Sequence, residues 1–93
     1  MELKVFTLPT CSGCPVAKKI VFEIAKKYGI ACKVIDMATE EGLREGLGYQ
    51  IMSAPSIAID EEVIVRGHLI SQKRFEEEVR KRLEKWKTRV STE

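Results

Sequence analysis

Residues 11–15 read Cys-Ser-Gly-Cys-Pro, and they stand where the chain changes hydrophobic period. Before them, Leu3 to Leu8 is a short apolar run carrying Val5, Phe6 and Thr7 and closed by Pro9. That pattern fits a strand covered on both faces. After them, Ala17, Ile20, Val21, Ile24, Ala25 and Tyr28 recur at the spacing of one helix face, with Lys18, Lys19, Lys26 and Lys27 away from it. Gly29 supplies the stop, and Phe22 falls off the apolar stripe. Ile30 to Asp36 is a second strand, with Ile30, Cys32 and Val34 on one face. A helix over residues 15–28 spans roughly 21 Å, and a strand over residues 3–8 roughly 20 Å. The helix therefore returns the chain to the start of a parallel neighbour by a right-handed crossover.

The remaining chain continues in short elements. Thr39 to Tyr49 holds Gly42, Gly46 and Gly48, with Leu43 and Leu47 four apart, and reads as a short helix. Ser56–Ile59 and Val63–Arg66 are strands of an antiparallel hairpin joined by Asp60, Glu61 and Glu62. Ser71 caps a last helix lined by Phe75, Val79, Leu83 and Trp86 and otherwise mostly charged, a solvated face with local ion pairs. Residues 87–93 read as a frayed tail. With 93 residues in all, two domains would have fewer than about 50 each, so a single domain over 1–93 is expected. The net charge of +2 gives no broad basic field for nucleic acid or an anionic membrane. No apolar run approaches the roughly 18 residues of a membrane span. Lys4 and then Pro9 interrupt the opening apolar stretch, so it does not read as a secretory leader, and a cytoplasmic location is expected.

The chemistry lies in the cysteines, of which there are three. Cys11 falls at the N-terminal end of the first helix, where free N–H groups and the helix dipole favour a negative charge. A thiol there should ionise below its usual pKa of about 8.5, populating the attacking thiolate. Cys14, one turn later, can reach Cys11 and close a disulfide. Gly13 keeps the turn uncrowded, and Pro15 costs little at a helix start, where its missing N–H has no intrahelical partner. A C-x-x-C beside a βαβ pattern reads as a thioredoxin-like redox motif.

The order βαβ-α-ββ-α, with C-x-x-C after the first strand, resembles the thioredoxin/glutaredoxin superfamily from Leu3 to about Trp86. The segment Tyr49 to Ser56 looks like the one that precedes the family's third strand, with Pro55 at the place of its cis proline. The resemblance implies an α/β, thioredoxin-like fold, a four-stranded mixed sheet flanked by helices. It implies that Cys11 is the nucleophile and Cys14 the resolving cysteine, and that Ala54 and Pro55 hold the substrate backbone and keep metals from the thiols. Gly67 matches a glycine often found beside the bound peptide. The family topology brings Arg66, Gly67 and His68 to the active-site end. There His68, the only histidine, either tunes the thiolate, meets a substrate, or is a solvent-facing turn residue.

Several positions depart from the better-known branches. Thr10 stands where thioredoxins carry Trp, and Ser12-Gly13 where they carry Gly-Pro. Val5 occupies the place of their buried carboxylate, leaving Asp36, Glu40 or water as proton acceptor. Leu8, Pro9 and the segment Gly67 to Ser71 do not match the glutathione-binding residues of glutaredoxins. The Pro-Thr-Cys start looks like small glutaredoxin-like redoxins, and Cys-x-x-Cys-Pro resembles archaeal disulfide oxidoreductases, an archaeal type of thioredoxin. Cys32 begins the second strand at the far end of the sheet, roughly 15–20 Å from Cys11 by helix length. It is therefore expected as a buried core thiol, outside any shared disulfide or metal site. The expected function is reduction of protein disulfides through a mixed disulfide, by a monomer needing no cofactor beyond the Cys11–Cys14 pair. An upstream thioredoxin-reductase-like flavoprotein is its expected electron source. The alternatives are a metal or iron–sulfur module sharing Cys11 and Cys14 across a dimer, or a non-catalytic docking domain.

Overall fold

A computed structural model of the chain describes residues 1–91, and side chains as far as Glu84. The elements are β1 (Glu2–Thr7), α1 (Cys14–Tyr28), β2 (Ala31–Asp36), α2 (Glu40–Gly48), β3 (Ser56–Ile59), β4 (Glu62–Arg66) and α3 (Gln72–Ser91). This is the expected order. The tail expected at 87–93 is helical through Ser91, while Thr92 and Glu93 lie outside the described residues, as does the side chain of Trp86.

The sheet order is β2-β1-β3-β4. β1 runs parallel to β2, from Glu2↔Ala31 to Thr7↔Asp36. It runs antiparallel to β3, from Leu3↔Ile59 to Phe6↔Ser56, and β3 and β4 form the expected hairpin. The connection is shorter than the sequence suggests. Glu62 already pairs with Ile59, and Asp60 turns the chain with φ 55°, a left-handed conformation that Asp tolerates.

Alternation along the strands divides the core in two. Leu3, Val5, Ile57, Ile59 and Val65 pack under Ala17, Val21 and Ile24 of α1 and Phe75 and Val79 of α3. Phe6, Ile35 and Ala58 face the other way, against Met37 and Ile51. β1 is buried from both sides because it is central, and Leu3, Val5 and Phe6 are all 0% exposed. Each such side chain stabilises the fold by about 1.5–3 kcal/mol.

The short helix α2 packs unlike its pattern suggests. Leu43 and Leu47 lie exposed, while Gly42 and Gly46 are buried. A Cβ on Gly42 would overlap the Asp36 carbonyl, and one on Gly46 would press on the Met37 sulfur. The glycines are the packing face: they let the helix backbone lie directly on the end of β2. Arg66 closes the far end of α2 by donating to the carbonyls of Tyr49 (3.3 Å) and Gln50 (2.9 Å), groups a helix end leaves unpaired.

Candidate active site

Cys11 and Cys14 are joined as a disulfide, with their Cα atoms 5.5 Å apart. The Cys11 N–H donates to the Leu8 carbonyl (3.1 Å), which folds the loop after β1 so that its sulfur meets the first turn of α1. Gly13 is the N-cap and offers no side-chain cap, and no acidic residue sits in the first turn. The free N–H groups of that turn and the helix dipole thus act on sulfur with no acidic residue of α1's own first turn opposing them. Cys14 is 3% exposed and Cys11 only half-buried. The more accessible Cys11 suits attack on an incoming disulfide, and the buried Cys14 suits resolution from within.

Because β1 is central, the cysteine loop has a neighbour on each side. On the β3 side stands the Ala54–Pro55 peptide, which is cis. Ala54 and Leu8 both pack on the Phe6 cluster, which ties the proline segment to the cysteine loop. Gly67 lies against the same segment. Its N–H donates to the Pro55 carbonyl (3.0 Å) and to Ser56 Oγ (3.1 Å), and Ser56 Oγ donates to the Ser53 carbonyl (2.7 Å). Gly67 has φ 77°, and a Cβ on it would overlap the Ser53 side chain. From the same loop Leu69, 49% exposed, reaches Gly13. The expected group of Cys11, Cys14, Ala54, Pro55 and Gly67 is therefore assembled at one end of the sheet. Leu69 and Ser56 were not singled out by sequence. Ser56 carries no motif, and an apolar residue such as Leu69 in a loop gives no sequence signal of its own.

On the β2 side a depression of about 310 Å³ runs beside the disulfide, with Thr7, Cys11, Cys14, Lys18 and Asp36 among its walls. Asp36 is held there by its own turn: its carboxylate accepts the Ala38 N–H (2.9 Å), and its carbonyl accepts the Thr39 hydroxyl (2.8 Å). Val5 is 0% exposed in the apolar core, so no carboxylate approaches from that place. Glu40 pairs with Arg44 on exposed α2 and does not line the depression. His68 is exposed, shares its Nδ1 with the Leu69 carbonyl (3.1 Å), and lines a separate depression with Ile64, Arg74 and Glu78.

Cys32 is free and pairs in register with Leu3, at the end of the sheet away from Cys11. It is half-buried rather than fully buried, because β2 is an edge strand whose outer side has no neighbour. Burial, and then the Glu2 carboxylate, push its thiol pKa up, so it is a poor nucleophile. Among the described residues no three His, Cys, Asp or Glu side chains converge on a point that would hold a metal ion.

A pair of cysteines at a helix N-terminus, one half-buried and one buried, can exchange two electrons with a disulfide. Fold and site together define a dithiol–disulfide oxidoreductase with a thioredoxin-like fold. The Thioredoxin domain family matches residues 1–80. A "Probable Thioredoxin" of Archaeoglobus fulgidus is 37% identical over 70% of this chain and 71% of its own. The thioredoxin of Methanocaldococcus jannaschii is 33% identical over 68% of this chain and 74% of its own. In fold, thioredoxin 1 of Thermosipho africanus superposes over the whole of both chains with a TM-score of 0.75 at 23% identity. The chain belongs to the thioredoxin family and is of the archaeal type. As thioredoxins do, it acts on protein disulfides.

Proposed function

We propose that this chain is a monomeric cytoplasmic reductase of protein disulfides, recharged by a thioredoxin-reductase-like flavoprotein and needing no bound cofactor. The observation that carries this reading is the Cys11–Cys14 pair at the start of α1, beside the Ala54–Pro55 peptide. Cys11 thiolate attacks one sulfur of the substrate disulfide. A Cys11–substrate bond forms, and the other substrate sulfur leaves with the electron pair and takes up a proton. Cys14 then attacks Cys11 Sγ, forming the Cys11–Cys14 disulfide and releasing the second substrate thiol. Two electrons have passed to the substrate, and the flavoprotein returns them. Ala54, Pro55 and Gly67 receive the substrate backbone, with His68 on the exposed rim. Asp36 is the carboxylate that serves the Cys14 proton, since it shares the depression with that residue.

The direction of transfer is tested by the equilibrium potential of the Cys11–Cys14 couple. A value near about −270 mV, as in cytosolic thioredoxins, is expected, and one near about −120 mV would make the chain an oxidant instead. Insulin reduction by dithiothreitol should be accelerated by the wild type and not by Cys11→Ser.

A further inference from the structure

The depression on the β2 side poses an electrostatic problem. Cys14 must become a thiolate to resolve the mixed disulfide, yet it is 3% exposed and shares its surroundings with the Asp36 carboxylate. Burial and a like charge both disfavour a thiolate. Among the described residues the walls carry one cation, Lys18. It follows Cys14 by four residues on α1, which places the two side chains on one helix face, about 5–6 Å apart at Cβ. β1 contributes no charge to the depression, β2 contributes Asp36, and His68 belongs to another depression. Lys18 also makes no ion pair among the described residues, whereas Lys27 on the same helix is engaged by Glu76.

We propose that Lys18 is a positioning residue for the resolving step: its ammonium offsets Asp36 and holds the Cys14 sulfur as thiolate in the shared depression. The inference rests on the dithiol mechanism above. In the absence of a buried carboxylate at Val5, the proton leaving Cys14 passes by way of Asp36 to solvent, so Asp36 is again a carboxylate when Cys14 attacks, and Lys18 stabilises the two charges together. The proton then serves the departing substrate sulfur, so the step conserves charge and needs no further reactant.

The test is the second, concentration-independent release of thiolate when reduced protein meets excess chromogenic aromatic disulfide, followed against pH. The first release, proportional to disulfide concentration, reports Cys11; the second reports Cys14. In Lys18→Gln the pH midpoint of the second release should rise, with its rate at pH 7 falling about two- to tenfold, while Lys18→Arg stays near wild type. Lys18→Glu should shift it further. Salt, which screens exposed charges, should raise the wild-type midpoint more than that of Lys18→Gln, a comparison that remains if Lys18→Glu does not fold. An unmoved midpoint in Lys18→Gln, or an equal shift in Lys18→Arg, would overturn the role of Lys18. Absence of any second release in the wild type would instead overturn the dithiol mechanism itself.

Discussion

Gly67 shows how tightly one position is set by its neighbours. Its φ of 77° lies in the left-handed region, which costs a residue with a Cβ roughly 1–2 kcal/mol. A Cβ there would also overlap Ser53, one of the residues leading into Pro55. Gly67→Ala should therefore lower stability by about 1–3 kcal/mol, read as a shifted urea midpoint at unchanged slope. It should also slow insulin reduction more than reduction of a small aromatic disulfide, because the displaced segment is the proposed seat of the substrate backbone. Equal stability and equal rates would show that the Gly67 conformation matters to neither. The requirement for glycine was legible only as a family match, since a sequence does not record which atoms approach a backbone.

At the scale of elements, α2 is placed by its first turn. Thr39 is the N-cap: its hydroxyl accepts the Gly42 N–H (2.9 Å) and donates to the Asp36 carbonyl (2.8 Å). Thr39→Ala removes both bonds and should cost about 1 kcal/mol, measurable by denaturation. The strand positions and α1 were readable because burial imposes a period on them. In α2 the leucines misrepresent the packing face, because close approach of two backbones selects glycine and leaves no apolar stripe. For the same reason sequence alone does not separate Asp36 from Glu40 or water beside Cys14: the depth of the turn that ends β2 depends on Gly42 rather than on any motif. Sequence periodicity places Lys18 only off the core stripe, since it marks which face is apolar and not what the polar face adjoins. Cys32 is shallower than its strand pattern implies, because such a pattern does not distinguish an edge from a centre.

The docking of α3 on α1 carries its own pH dependence. Glu76 accepts from Lys27 (2.7 Å) and from the Tyr28 hydroxyl (2.6 Å), and these bonds hold its carboxyl below the usual carboxylate range. A carboxylate whose pKa is lowered by folding contributes stability above its unfolded pKa of about 4.3 and loses it as pH falls through the folded value. Wild-type stability should therefore drop more steeply than that of Glu76→Gln on acidification below about pH 4. Parallel pH profiles of the two proteins would show that Glu76 contributes nothing to the acid sensitivity of the fold.

Across the whole molecule, sheet order assigns the thiols their roles. β1 delivers Cys11 and Cys14 to one end, between Asp36 at the end of β2 and Pro55 before β3, while parallel pairing of β2 leaves Cys32 at the other. Three cysteines thus divide into a two-electron site and a raised-pKa thiol at an edge. The most direct test is to remove the resolving thiol and ask where a substrate is caught. Reduced Cys14→Ser, mixed with insulin and analysed by intact mass and peptide mapping, should accumulate an adduct through Cys11 that dithiothreitol releases, whereas the wild type passes to the Cys11–Cys14 disulfide without accumulating one. No adduct, or an adduct on Cys32 with Cys11 free, would show that Cys11 is not the attacking thiol.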